Sequence, residues 1–290
     1  MCIRDSVHGA WGGGWSFKKI EDILEENQSV VYRPTLTGQG ERVHLFSKNI
    51  GLETHIDDIS NMIEYEDINN IILIGHSYGG MVITGVADKL PRRIKKLVYV
   101  DAFFPYNQES VFSINKRKPS QKDLENGFIY PFWEGNDKKP PKDVPHPLKT
   151  FTDKLILKNS DRNKIPKHYI LTYEKGSNPL KDDFALHFKR AKKKGIETYL
   201  LESDHNPQWS APEEFSNLIK AAEDEFLNNE KKSIDKSMLS DEIISLLGDI
   251  QSNLFNQALQ FREESTFSVD NYDDFKKIIK ETGGFITVSY

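Results

Sequence analysis

The chain has 290 residues, a formal charge of -5 and a single cysteine. The length is ample for one large domain plus an appendage. The mixed charge gives no reason to expect nucleic acid or an anionic membrane as partner, and lone Cys2 excludes an intramolecular disulfide.

In chain order, residues 1–6 place Arg4 and Asp5 where a strand would carry apolar side chains, so the first strand is expected to be truncated or replaced. No secretory leader is visible there and no apolar run reaches the length of a membrane span, which sets the expectation of a cytoplasmic protein without a membrane partner. Val7-His8-Gly9-Ala10-Trp11-Gly12-Gly13-Gly14-Trp15 reads as a loop entering a helix at about Ser16. His-Gly followed by more glycine can turn a backbone N–H toward a ligand. Residues 29–33 read as a strand and 34–42 as a loop. Residues 52–64 read as an amphipathic helix, with Ile56, Ile59 and Ile63 at helical spacing.

Ile71-Ile72-Leu73-Ile74 is too short for a helix and reads as a buried strand. Gly75-His76-Ser77-Tyr78-Gly79 follows, and Gly80 opens a helix running to Ala87. Strand, G-x-S-x-G and helix together form the context of a nucleophile elbow. The turn is too tight for a Cβ at either flanking glycine. Leu97-Val98-Tyr99-Val100 is the next strand, ending on Asp101. From Asn107 the period dissolves into prolines, lysines and scattered aromatics (Phe128, Tyr130, Phe132, Trp133), which leaves a cap over a pocket or a disordered loop; the aromatics favour a cap, inserted over about 107–165. Residues 168–173 read as a strand, 182–194 as a helix ending at Gly195, and 197–201 as the last core strand. A closing helix is expected from Pro212 to about Phe226. Strands alternating with helices imply a mostly parallel sheet covered on both faces.

A serine hydroxyl needs a base within hydrogen-bond reach, and the base needs an orienting acid. Ser77 is the candidate nucleophile. His205, in the loop after the last core strand, is the candidate base. The acid has two leading candidates, with Asp182, Asp183 and Asp204 behind them. Asp101 ends a strand at the carboxyl edge of the sheet, where ligands gather in open α/β folds. Glu174 follows the strand at Tyr173, the more usual place for the acid. Asp101 is favoured. The oxyanion is assigned to the backbone N–H groups of Tyr78 and Ala10. His76 is set aside as the elbow's variable position. His44, His55, His146, His168 and His187 are set aside for want of context. No metal cluster and no G-x-G-x-x-G fingerprint is present, so no metal and no cofactor is expected.

The segments VHGAWGGGW, PTLTGQGER, GLETHIDDI, LIGHSYGGMVITGVAD and LVYVDAFFP make residues 7 to about 227 resemble the α/β-hydrolase superfamily. The likeness is strongest to small esterases related to plant methylesterases and hydroxynitrile lyases. It implies an α/β-hydrolase fold and cofactor-free hydrolysis of a small-molecule carboxylic ester. Plant members keep an Asp after the penultimate strand and this chain does not. Bacterial relatives with the Val-Asp-Ala-Phe segment lack it too, which supports Asp101. The usual Gly-His before the last helix is Asp204-His205 here.

Beyond Asn228 the chain changes style. Residues 229–236 form a polar linker by composition. Over 237–290, apolar residues from Leu239 to Phe261 recur at helical steps. The stretch LLGDIQSNLFNQALQFREESTFSVDNYDDFKKIIKETGGF resembles the C-terminal region of archaeal- and eukaryotic-type prolyl-tRNA synthetases. It carries no aminoacylation signature, so the resemblance implies a non-functional fragment, as in a fused or misassembled reading frame; the alternative is a real, mainly helical appendage. The leading reading is a serine esterase. Its rivals are a lyase or non-catalytic ligand-binding relative on the same fold, and a tRNA-linked accessory protein drawn from the tail alone.

Overall fold

The computed structural model describes residues 3–26, 29–131, 133 and 138–221. The chain divides into two units, Met1–Glu223 and Asp224–Tyr290, and all described residues belong to the first. The expected linker and tail segment, 229–290, lie outside the described residues.

The chain opens with β1 (Ile3–Val7), a 3-10 turn at Gly14–Phe17 and α1 (Lys18–Glu25), followed by β2 (Val30–Tyr32) and α2 (Leu52–Tyr65). Then come β3 (Ile71–His76), α3 (Gly79–Lys89) and β4 (Ile94–Val100). The described part of the insertion is folded. It holds α4 (Val111–Ile114), α5 (Gln121–Asn126), the antiparallel pair β5 (Phe128–Ile129) and β6 (His146–Pro147), and α6 (Leu148–Thr152). The chain returns through β7 (Lys167–Tyr173), α7 (Ala185–Lys193), β8 (Glu197–Glu202), α8 (Pro207–Ser210) and a helix over 212–221.

Among the described residues, β2-β1-β3-β4-β7-β8 form one parallel sheet in that order. The period of two along each strand divides the core into two clusters. On one face Val7, Leu73, Leu97, Tyr99 and Tyr169 pack against Ile56, Ile59 and Ile63 of α2 and Val82, Ile83 and Val86 of α3. On the other, Ile72, Ile74, Val98, Val100 and Ile170 pack against Ile20 and Leu24 of α1 and Phe215 and Ile219 of the last helix. Both faces are covered, as parallel sheets require.

Two sequence expectations need correction. Residues 3–7 are a full inner strand, in register with β2 on one side (Arg4↔Val31) and β3 on the other (Arg4↔Ile72). The backbone ladders on both edges hold the strand although its side chains do not suit the site. The helix expected from Asp182 begins at Ala185. Pro179–Lys181 is a 3-10 turn, and the Asp182 carboxylate accepts from the Phe184 N–H at 2.8 Å, closing a local turn that competes with the helix.

The unsuited side chains of β1 have a cost. Alternation puts Asp5 on the Val7 face, beneath α2 and α3, and Arg4 on the opposite face, where its guanidinium donates to Ser29 Oγ. Asp5 is fully buried. Burial raises its pKa well above the carboxylate range, and the Ser6 backbone N–H offsets this only in part. A raised folded-state pKa means that the unfolded chain loses the proton first. The carboxyl is therefore tolerated below pH 4 and increasingly destabilises the fold as pH rises above that value. Asp5→Val is expected to raise stability by about 1–3 kcal/mol and the melting temperature by about 2–4 °C per kcal/mol. The gain should be larger at pH 7.5 than at pH 4.5 in thermal melts; an unchanged or lower melting temperature at pH 7.5 would contradict it.

Candidate active site

The turn between β3 and α3 leaves almost no room. A Cβ on Gly75 would lie 2.8 Å from the Gly79 carbonyl oxygen, and one on Gly79 would lie 2.5 Å from the Val7 carbonyl oxygen. Glycine at both positions lets the turn close against β1. Ser77, between them, takes a left-handed φ of 52°, a conformation that costs on the order of 1 kcal/mol or more unless its surroundings enforce it. They do so through three backbone bonds. The Ser77 N–H donates to Val100 O at 3.2 Å, and its carbonyl accepts from Phe103 N at 3.0 Å and Gly80 N at 3.1 Å. The Tyr78 N–H stands at the N-terminal end of α3, where backbone donors lack intrahelical acceptors.

Chain order and sheet order part company between β1 and β3. From β1 the chain passes to β2 on one side and then to β3 on the other. Loops that leave the carboxyl ends of two such strands diverge and open a crevice. The loop after β1 carries Ala10, and a Cβ on Gly9 would stand 3.1 Å from Ser77 Cβ, so this loop lies directly beside the serine. His8 shapes it: Nδ1–H donates to Gly9 O at 2.7 Å and Nε2 accepts from the Leu36 N–H at 3.0 Å. Trp11, at φ 65°, ties the loop to the insertion. Its indole N–H donates to Ile129 O at 2.8 Å, and its carbonyl accepts from Val144 N at 2.9 Å.

The structure brings Asp101 and His205 together. Asp101 turns off the end of β4 at φ 43° and is almost wholly buried. Its Oδ2 accepts from His205 Nδ1 at 2.6 Å and its Oδ1 from the Thr172 N–H at 3.2 Å. A carboxylate on Nδ1 selects the Nδ1–H tautomer and leaves Nε2 as the basic nitrogen. Glu174 is exposed in the turn after β7, and its described contact is a backbone one, Ser177 N to Glu174 O at 2.9 Å. The two remaining predicted positions, Tyr78 and Ala10, flank Ser77 on the helix side and the loop side. Among the described residues there is no group of three or more metal-ligating side chains placed to hold an ion.

Several residues around this cluster carried no sequence signal. Tyr169 Oη accepts from the Ala102 N–H at 3.1 Å and donates to Ala102 O at 2.7 Å, holding the residue after Asp101. Phe184 stacks on the His205 ring with centroids 5.0 Å apart. Trp209, four residues past His205, stacks on Trp15 and donates its indole N–H to Ser16 O at 3.0 Å. His55, set aside on sequence, accepts from Tyr78 Oη at 3.0 Å through Nδ1 and donates Nε2–H to Thr37 O at 3.0 Å. Burial lowers the pKa of His8, His55 and His187 to about 4 and pushes His76 and His146 down as well. These rings are neutral scaffolding at neutral pH. Periodicity finds none of them, because their partners lie on other elements.

Residues 7–218 match the model of the alpha/beta hydrolase family. A carbendazim-hydrolysing esterase of Nocardioides sp. (strain SG-4G) is 49% identical over 108 residues, covering 37% of this chain and 45% of that protein. The putative chloroplastic methylesterase 11 of Arabidopsis thaliana is 24% identical over 243 residues, covering 73% of this chain and 62% of the relative. The chain thus spans roughly half the length of these curated relatives. A Paenibacillus extracellular alpha/beta-hydrolase, described as sharing homology with tobacco salicylic acid binding protein 2, superposes with a TM-score of 0.63 at 23% identity. It covers 77% of this chain and 99% of its own, and establishes the α/β-hydrolase fold. A separate 60-residue match, 42% identical, is to the proline–tRNA ligase of Christiangramia forsetii, covering 21% of this chain and 12% of the ligase.

The hold on Asp101 has a measurable consequence. Tyr169→Phe strips the buried Ala102 N–H and carbonyl of one shared partner, a loss of about 1–3 kcal/mol. Denaturant unfolding is expected to show that loss, and a variant as stable as the parent would show that Tyr169 Oη is not what secures this turn.

Proposed function

The chain belongs to the alpha/beta hydrolase family, and on that premise we propose that it hydrolyses carboxylic esters of small molecules through an acyl-enzyme. Ser77 is the nucleophile, His205 the general base and then acid, and Asp101 the orienting acid. The observation that carries this reading is the 2.6 Å bond between His205 Nδ1 and buried Asp101, beside a serine held in left-handed backbone. His205 Nε2 takes the proton of Ser77 Oγ as the oxygen attacks the ester carbonyl. The ionised Asp101 stabilises the imidazolium that results. The oxyanion that develops accepts from the Tyr78 and Ala10 N–H groups; one such donor is typically worth about 3 kcal/mol of barrier. His205 then protonates the departing alkoxide, and water repeats the sequence to release the acid. Relatives described as a carbendazim-hydrolysing esterase and a methylesterase support a small ester as substrate.

p-Nitrophenyl acetate hydrolysis tests the assignment. Ser77→Ala is expected to lower kcat on the order of 10⁶-fold, and Asp101→Asn on the order of 10⁴-fold with little change in KM. Glu174→Gln should cost less than about tenfold, since an exposed carboxylate gives the base little support. Activity of Ser77→Ala within tenfold of the parent would remove the serine mechanism. The reverse ranking of the two acid variants would move the acid to Glu174.

We further propose that the hydrolase domain occupies residues 1–228 and that 237–290, after a linker, is a segment similar to prolyl-tRNA synthetases that adds no chemistry. The family match ending at residue 218 and the separate ligase match support this division. Deleting residues 231–290 should leave a soluble enzyme with kcat and KM within about twofold of the full chain. Aggregation or lost activity would instead make the tail part of the hydrolase.

A further inference from the structure

The sheet order sets a problem for the base. Ser77 follows β3, whereas His205 follows β8, and β4 and β7 lie between them. Three inter-strand spacings of about 4.8 Å separate the two strand ends. The loop after β8 must therefore fold back across the carboxyl edge, and the Asp101 side chain holds only its imidazole. The backbone of that loop has its own anchor. His76 Nε2 lies 2.7 Å from the His205 carbonyl oxygen. A carbonyl can only accept, so His76 donates Nε2–H and its tautomer is fixed. The rings of His76 and His205 stand 4.7 Å apart. On its other side, His76 Nδ1 would lie 3.1 Å from a Cβ on Gly9, so the ring is wedged against the loop that carries Ala10. Phe17 closes the remaining edge at 6.3 Å.

We propose that His76 is a positioning residue: from the elbow itself, it pins the backbone of the base-bearing loop and sets the distance between Ser77 and His205. The proposal rests on the reading of His205 as the base. It assigns a role to the position between Gly75 and Ser77 that is separate from the nucleophile, the acid and the oxyanion donors. The ring is fully enclosed, and burial with the nearby His205 keeps it neutral, which suits a permanent donor. A protonated ring would place a second positive charge beside the imidazolium formed during attack.

Two substitutions separate positioning from bulk packing. His76→Leu fills much of the volume and has no donor, whereas His76→Gln keeps an N–H donor of similar reach. Misplacement of a reacting group by about 1 Å can cost on the order of 10²-fold. His76→Leu is therefore expected to lower kcat by about that factor with KM little changed, and His76→Gln to recover most of the loss. A second readout does not depend on activity. The proton shared by His205 Nδ1 and Asp101 should give a far-downfield NMR resonance in the parent and in His76→Gln. It should broaden or move upfield in His76→Leu. Full kcat and an unshifted resonance in His76→Leu would overturn the proposal, as would equal impairment of the two variants with the resonance intact. A parent that cleaves no ester but shows the same pattern of resonances would fail the esterase reading while leaving the positioning role in place.

Discussion

The tightest constraint in the molecule is the approach of α3 to β1 at the elbow. Gly79 comes so close to the Val7 carbonyl that no side chain fits between them, and Ser77 is forced into a left-handed conformation one residue past β3. The location of the site follows from this contact. It pulls the helix N-terminus over the carboxyl end of β1, beside the loop that begins at His8. It also leaves the Ser77 carbonyl to accept from Phe103, which ties the elbow to the segment leaving Asp101. The switch of chain direction between β1 and β3 supplies the crevice, and the glycines let backbone from three elements converge there.

Around this turn the structure relies on neutral histidines. His8 braces the Ala10 loop, His55 anchors the Tyr78 hydroxyl, His187 accepts from the Phe104 N–H at 3.0 Å, and His76 donates to the His205 carbonyl. Each is held uncharged mainly by burial. A neutral imidazole both donates and accepts, so it can satisfy two backbone or side-chain groups at once in a region where water is excluded. His205 differs from them in environment. Its side chain is 41% exposed and paired with a carboxylate that is 2% exposed, so among these five rings the exposed one is the one paired with a carboxylate.

The insertion between β4 and β7 is joined to the site through Trp11 and through Phe151 of α6, which stacks on Tyr78 at 5.6 Å. The indole N–H and the carbonyl of Trp11 both reach the insertion, and its ring meets Trp133 at 5.0 Å and Phe151 at 5.7 Å in edge-on contacts. On the far side, Arg190 of α7 makes a two-pronged bond to Glu109 at 2.6 and 2.9 Å. The segment after Asp101 is thus fixed at both ends, and the carboxylate that meets His205 sits on a stiff support. Against this order, β1 stands out. Its backbone pairs on both edges, yet among the described residues neither carboxylate oxygen of Asp5 has a hydrogen-bond partner in good geometry, and its neighbour Arg4 points to the other face.

The local geometry of the candidate site was legible in the sequence. Strand, G-x-S-x-G and helix are consecutive residues, so periodicity and glycine placement identify the elbow without knowledge of anything distant. Alternation of strands and helices likewise determined a parallel sheet covered on both faces, and the strand–loop context singled out His205. Tertiary structure alone decided which carboxylate meets His205: Asp101 and Glu174 both stand at strand ends, and although β7 lies nearer β8, it is Asp101, turned inward off the end of β4, that reaches the folded-back loop, while Glu174 is exposed. It also decided the partner of His76, which lies 129 residues away, and the fate of β1. Its side chains argued against a strand, but ladder hydrogen bonds to two neighbours are made by the backbone, which every residue there provides alike.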